Sequence, residues 1–273
     1  MIRTLRESLA ASPLPRLEAQ LLWQRVLDVP RAWLIAHDAD PLQPAQLDAY
    51  RALEARRIAG EPIAYILGRR EFFGRDFLVT PAVLIPRPDT ELLVECGLRA
   101  IRDVRAPCVL DLGTGSGIVA VTLALERPDA RVRATDRSAE ALAVARKNAC
   151  ALGAKLLFSH GNWYDTELGS VRFDLIVSNP PYIDARDAHL GQGDLRFEPP
   201  DALTDGADGL RALREIVRGA PDHLGPGGIL CVEHGWDQAA AVRSLFLRHG
   251  FADVASERDL SGIERVTRGC LQA

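Results

Sequence analysis

Asn179-Pro180-Pro181-Tyr182 places an amide, two rigid rings and an aromatic on four consecutive residues. The Asn179 side-chain oxygen can accept one N–H of a planar amino group, and the Pro180 carbonyl can accept the other. Tyr182 can stack on the plane, while Pro181 stiffens the turn. Nitrogen conjugated to a π system is a poor nucleophile. Two acceptors that fix its lone pair toward an electrophile supply catalysis by positioning and electrostatics, without an obligatory strong base. The target is a planar nitrogen: a glutamine side chain, adenine N6, cytosine N4 or guanine N2. Consecutive prolines also stop strands, but that reading leaves the neighbouring Asn and Tyr unexplained.

A second group lies upstream. Asp111-Leu112-Gly113-Thr114-Gly115-Ser116-Gly117 joins an apolar strand to a helix. Glycines there allow positive φ and close approach to a ligand. A dinucleotide site would space them G-x-G-x-x-G around a pyrophosphate. Here the third glycine comes one residue early, and Asp111 would repel phosphate. A ligand with a cationic centre and an amino acid tail fits better, which describes S-adenosylmethionine. Asp136 follows the next strand, where an acid can accept both hydroxyls of an adenosyl ribose. Asn162-Trp163 follows the third, where a side chain can meet the adenine edge and a ring can pack beside it. Either could be ordinary structure alone, a capping acid and a core ring. Three such features at successive strand ends point to a ligand site.

The elements that must hold these residues read clearly. Leu14, Leu17, Leu21, Leu22 and Val26, then Leu47, Tyr50, Leu53 and Ile58, recur at helical spacing. They predict a small helical bundle, either a structural cap or a binding module. Residues 71–79 read as a hairpin around Gly74-Arg75-Asp76, and Thr90 can cap the helix after Pro86 and Pro88. From about residue 105, strands over 108–110, 132–135, 156–159, 173–178 and 228–233 alternate with helices. Two short strands near 251–255 and 265–268 end the chain. Repeated βαβ units predict a mostly parallel, doubly wound α/β sheet. The expected domains are 1–68, helical; 69–90, a hairpin linker; and 91–273, the chemical domain.

Composition narrows the function. The 273 residues are 47% hydrophobic and 26% charged, which excludes wholesale disorder. No apolar run reaches membrane-spanning length, and the start carries no secretory pattern. Five scattered cysteines with no C-x-x-C pair fit reduced thiols, buried as small hydrophobes, in a cytoplasmic protein without a metal site. Net charge is −4; residues 1–75 carry 11 arginines against 9 acids, so the acidity lies in the chemical domain. Proteins that grip nucleic acid are usually basic, so this balance weighs against such a substrate.

With these motifs assembled, the chain resembles the HemK/PrmC family of protein-(glutamine-N5) methyltransferases, which modify peptide chain release factors. The likeness spans nearly the whole chain. It includes Ile85-Pro86-Arg87-Pro88-Asp89-Thr90-Glu91, the segment from His189 through Arg196-Phe197-Glu198-Pro199, Glu233-His234-Gly235 and Glu264-Arg265-Val266. The resemblance implies a Rossmann-like methyltransferase domain that uses S-adenosylmethionine and releases S-adenosylhomocysteine. It implies that Gly113, Thr114, Gly115, Ser116, Gly117, Asp136, Asn162, Trp163 and Asn179 contact the donor. Asn179, Pro180, Pro181 and Tyr182 would hold the glutamine of a Gly-Gly-Gln motif, with Asn179, Pro180 and Tyr182 catalytic. The helical domain would dock on the release factor, and the chain is expected to act as a monomer without nucleic acid or membrane. Asn162 departs from the family's usual Asp. Arg196 and Glu198 either order the loop after Tyr182 or line the glutamine channel, and His234 reads as structural. A nucleic-acid amino-methyltransferase of the adenine N6 type is the competing enzyme. A donor-binding regulator without catalysis is the non-enzyme alternative, disfavoured by the intact Asn179 and Tyr182.

Overall fold

The computed structural model describes residues 4–272, in two compact units, Met1–Arg69 and Arg70–Ala273. The first is built from α1 (Leu5–Ala11), α2 (Arg16–Leu27), α3 (Arg31–Ala36), α4 (Pro44–Ile58) and α5 (Ile63–Leu67). Leu5, Leu22, Trp23, Leu34, Tyr50 and Ile66 form its core, with the Trp23 and Tyr50 rings stacked 4.5 Å apart. Burying an indole requires a partner for its N–H, and Trp23 donates to Ser8 Oγ. Arg57 of α4 pairs with Glu18 of α2 at 2.7 Å. Two expected stripe members face outward instead: Leu17 is 55% and Ile58 59% exposed. Ile58 lies eight residues beyond buried Tyr50, about 80° further round at 3.6 residues per turn.

The second unit opens with a hairpin, β1 (Arg69–Phe72) and β2 (Arg75–Leu78). Its turn is Phe73-Gly74, both at positive φ, so Arg75 and Asp76 belong to the second strand rather than to the turn. Phe72 and Phe77 are buried in the main core beside α6 (Glu91–Ala100).

The central sheet alternates β3 (Cys108–Leu112), α7 (Ile118–Glu126), β4 (Arg131–Asp136), α8 (Ala139–Leu152), β5 (Leu157–His160) and β6 (Phe173–Ser178). α9 (Pro200–Leu203), α10 (Arg211–Gly219), β7 (Leu224–Glu233), α11 (Ala239–Arg248), β8 (Phe251–Arg258) and β9 (Glu264–Leu271) follow. Strand order is β5-β4-β3-β6-β7-β9-β8. The first five are parallel, as βαβ crossovers require. β9 pairs antiparallel with β7, and β8 antiparallel with β9; at eight residues each they exceed the expected short strands. One face of the sheet packs on α6, α7 and α8, the other on α10 and α11, which gives the doubly wound arrangement.

The register positions the chemistry. Leu112 pairs with Thr135 on one side and Ser178 on the other, and Ser178 pairs with Val232. The next residues, Asp136, Gly113, Asn179 and Glu233, therefore stand in one row along the carboxyl edge, where open α/β sheets bind ligands. Ser138 caps α8 by accepting from the Ala141 N–H, as expected. Thr90 stands at the N-cap position of α6 as expected, but its side chain accepts no hydrogen bond from the helix; its hydroxyl oxygen accepts from Asn179 instead. Cys96, Cys108 and Cys231 are buried, but Cys150 is exposed and Cys270 half-buried, contrary to the expectation that all pack inside. Among the described residues no helix is long and apolar enough to cross a membrane.

Candidate active site at the carboxyl edge

A cavity of about 640 Å3 opens at this edge. Its floor is the glycine turn. The Gly113 and Thr114 N–H groups both donate to the Thr135 carbonyl at 2.9 Å, which bends the chain out of β3. Gly113, Gly115 and Gly117 have φ of +69°, +56° and +85°, a region costly for residues with a Cβ. A Cβ on Gly113 would stand 3.1 Å from Trp163 Cζ3, whereas one on Gly115 meets nothing within 4 Å. Gly117 does not line the cavity. It starts α7, and a Cβ there would meet Ala145 at 3.1 Å.

Asp111 lies within β3, not in the turn, and is buried. Its Oδ2 accepts from Thr114 Oγ1 at 2.6 Å. Burial pushes its pKa up to about 7, against the Thr114 hydrogen bond that favours the charged form. Asp136 accepts from Gly115 N through Oδ2 and from Ser138 N through Oδ1, both at 2.8 Å. Its pKa is raised chiefly by burial, offset in part by those N–H groups. Each oxygen retains the capacity to accept a further hydrogen bond, and Asp136 lines the cavity.

Asn162 and Trp163 line the same space. Trp163 donates its indole N–H to Glu215 at 3.0 Å and holds φ at +48°, a strained value for an aromatic residue that lays the ring along Gly113. The walls come from residues 81–87 and 199–202. Buried Glu198 joins them: it accepts from Ile85 N at 2.9 Å and pairs with the Arg87 guanidinium. Glu198 thus orders the wall, while Arg196 is exposed and lies over the Phe197 ring. His234 is structural, fully buried between Thr267 Oγ1 and the Gly235 carbonyl.

Asn179 and Pro181 reach the cavity wall; Pro180 and Tyr182 do not. Asn179 Nδ2 donates to Thr90 Oγ1 at 3.1 Å, which leaves Oδ1 as the acceptor available to a ligand. The Tyr182 hydroxyl donates to Glu233 Oε1 at 3.2 Å, and its ring packs on the second core. The Tyr182 carbonyl accepts from Gln238 Nε2 at 2.9 Å, and a Cβ on Gly209 would collide with that oxygen at 2.3 Å.

Thr90, Asn148, Glu215, Glu233 and Gln238 support the site without having been singled out for it. Asn148 is buried and donates to the carbonyls of Ser116 and Leu78, tying the glycine turn to the hairpin. A lone polar residue on an otherwise apolar helix face, as Asn148 is on α8, is the kind of signal that could have found it.

Residues 1–68 match the family described as PrmC N-terminal domain, and residues 88–193 match the methyltransferase small domain. The release factor glutamine methyltransferase of Bordetella pertussis is 58% identical over 98% of this chain and 100% of its own length. The chain belongs to the release factor glutamine methyltransferase family. The release factor glutamine methyltransferase of Escherichia coli is 43% identical over 98% of this chain and 96% of its own length. A methyltransferase of Pyrococcus furiosus superposes with a TM-score of 0.56 at 19% identity, covering 81% of this chain and 98% of that one, and shows the shared fold. This member of the release factor glutamine methyltransferase family thus carries the sheet edge, the glycine turn and the Asn179 turn on one methyltransferase scaffold.

Proposed function

We propose that this chain methylates the side-chain amide nitrogen, N5, of the glutamine in the Gly-Gly-Gln motif of peptide chain release factors, in support of translation termination. The donor is S-adenosylmethionine. The observation that carries the reading is Asn179 on the cavity wall, held by Thr90 through its NH2 so that an amide oxygen remains for an incoming N–H.

The residues fit the donor. A carboxylate at the end of β4, anchored by two backbone N–H groups, suits the ribose hydroxyls. Gly115 leaves open space where a side chain would stand, and Asp111 with Thr114 suits a cationic amino acid tail. Asn162 and Trp163 would meet the adenine. When bound, S-adenosylmethionine supplies an electrophilic methyl carbon on positive sulfur and departs as S-adenosylhomocysteine.

The chain's own contribution is placement. Asn179 Oδ1 and the Pro180 carbonyl accept the two N–H groups of the glutamine amide, which turns the nitrogen lone pair toward the glycine turn. Pro181 keeps the turn rigid. The Tyr182 ring, packed on the second core and set by Glu233 and Gln238, supports the turn from behind and does not stack on the amide from its present position. Residues 1–68 dock on the release factor, 69–90 join the two parts, and 91–273 carry the chemistry. The chain works in the cytoplasm as a monomer on a protein substrate, without nucleic acid; its acidic balance supports that choice.

Incubating the protein with labelled donor and either a release factor or DNA tests this. Mass spectrometry is expected to place one added methyl on the glutamine. Transfer to nucleic acid alone would reject the proposal in favour of the amino-methyltransferase alternative.

A further inference from the structure

The Tyr182 ring packs inward on the second core, so it is not the outward aromatic surface expected just beyond Asn179. Trp236 offers one. It lies three residues past Glu233, which ends β7 in the same row as Asn179, and it is 71% exposed. The other three tryptophans are engaged: Trp23 donates to Ser8, Trp33 stacks on His37 and Trp163 donates to Glu215. Trp236 makes no hydrogen bond or ring contact through its side chain with any described residue.

A single exposed apolar side chain needs no explanation by itself. What sets this one apart is its mounting. His234, two residues before it, is fully buried; its N–H donates to the Arg265 carbonyl, and its ring is held between Thr267 and Gly235. The Gly235 N–H donates to Gln238 Oε1 at 2.8 Å, and the Gln238 N–H donates back to the Gly235 carbonyl at 3.1 Å. These bonds close a tight turn around Trp236. Gln238 Nε2 then donates to the carbonyls of Tyr182 and Gly209 at 2.9 and 3.3 Å. One side chain thus fastens the turn that carries Trp236 to the turn that carries Asn179. A Cβ on Gly209 would stand 2.3 Å from the Tyr182 oxygen and 3.0 Å from Gln238 Nε2, so the joint has no slack.

We propose that Trp236 is a substrate-binding residue that receives the main chain of the protein substrate beside the methylated glutamine and reads the Gly-Gly that precedes it. Glycine has no Cβ, so its peptide planes can lie flat on an aromatic face that any side chain would hold off. The indole N–H is a donor only, and suits a main-chain carbonyl of the same stretch. A ring already fixed by its backbone loses little freedom on binding, and covering it removes apolar surface from water. Asn179 selects the glutamine; Trp236 selects what comes before it.

The inference rests on the glutamine methyltransferase reading, so wild-type turnover on a release factor is measured first; if there is none, it is that reading that fails. With active wild type, kcat, KM and donor Kd are compared for Trp236→Ala, Trp236→Phe and Leu247→Ala. Each is assayed on the release factor and on a form whose first motif glycine is alanine. Leu247, 63% exposed near the far end of α11, controls for loss of exposed apolar surface. Trp236→Ala is expected to raise KM about 10-fold or more, the scale of truncating an aromatic hot spot, with kcat and donor Kd within about 3-fold. Trp236→Phe, which keeps a flat face without the N–H, falls between, and Leu247→Ala stays within about 2-fold of wild type. The alanine substrate costs the wild type more than it costs Trp236→Ala, because the ring its methyl group meets is gone. An unchanged KM in Trp236→Ala, or full additivity with the substrate change, overturns the inference. So does an equal loss of donor affinity, which would make the ring structural. A wild-type dimer that Trp236→Ala dissociates in sedimentation would give the ring to a second copy and overturn it as well.

Discussion

The Trp163 ring lies so close to Gly113 that a Cβ on the glycine would come within 3.1 Å of Cζ3. The contact joins the turn after β3 to the segment after β5, and both partners hold positive φ to make it. Gly113→Ala is therefore expected to tilt the ring and strain the turn. Donor Kd should weaken at least about 10-fold by calorimetry, while Tm falls by about 2–4 °C, the shift for about 1 kcal/mol in a domain this size. Unchanged donor affinity would show that the ring and turn do not shape the donor site.

Asn179 contributes to turnover more than to donor binding if its role is to hold the substrate amide. Asn179→Ala is expected to lower kcat about 100-fold or more, the cost of losing a positioned transition-state contact. Equilibrium donor binding should stay within about 3-fold. A variant that turns over normally contradicts the mechanism.

Asp111 links donor affinity to pH. Burial raises its folded-state pKa to about 7, above the usual aspartate value of 3.8, so the folded chain holds this proton more tightly than the unfolded one. Its contribution to stability therefore declines as pH rises between those values. A cationic tail favours the carboxylate, so donor binding releases a proton near neutrality and tightens as pH rises from 6 toward 8. Calorimetry in two buffers of different ionisation enthalpy counts that proton; Asp111→Asn should abolish it. Equal heats in both buffers for the wild type would remove Asp111 from the tail site.

Glu198 bonds one backbone N–H and one guanidinium from the opposite cavity wall. Glu198→Ala leaves the Ile85 N–H buried without its acceptor. The expected loss is about 2 kcal/mol in chemical denaturation, the scale of a hydrogen bond to a charged group, because the partly exposed Arg87 regains solvent. Donor affinity should fall with it. Stability within about 0.5 kcal/mol of wild type would mean that the wall is ordered by other contacts.

The legible part of the site was the part that follows strand ends in sequence. Gly113, Asp136 and Asn179 each come one residue after a paired row, so apolar runs and the residues that stop them placed all three. Thr90 was legible only as a helix cap, because its partner Asn179 is 89 residues away and nothing local marks the contact. Gln238 and Glu215 were hidden for the same reason. Cys150 was misjudged by residue type: it lies on the exposed stripe of α8 with Arg146 and Lys147, where helical spacing outweighs the usual burial of a thiol. The chain-terminal strands were read short because polar residues interrupt them. Pairing with β7 on one side and with β8 on the other extends β9, and β8 is extended by β9 alone.

The aromatic pair of the hairpin has a practical meaning for dissecting the chain. Phe72 and Phe77 fill the interior beside α6 and α7, so a truncation that starts at Arg70 keeps their side chains in place. One that starts at Thr80 removes two fully enclosed rings and leaves a hollow against α8, where Asn148 loses its Leu78 bonds and with them part of its hold on Ser116. Fragment boundaries drawn a few residues apart would thus yield proteins of quite different solubility and donor affinity.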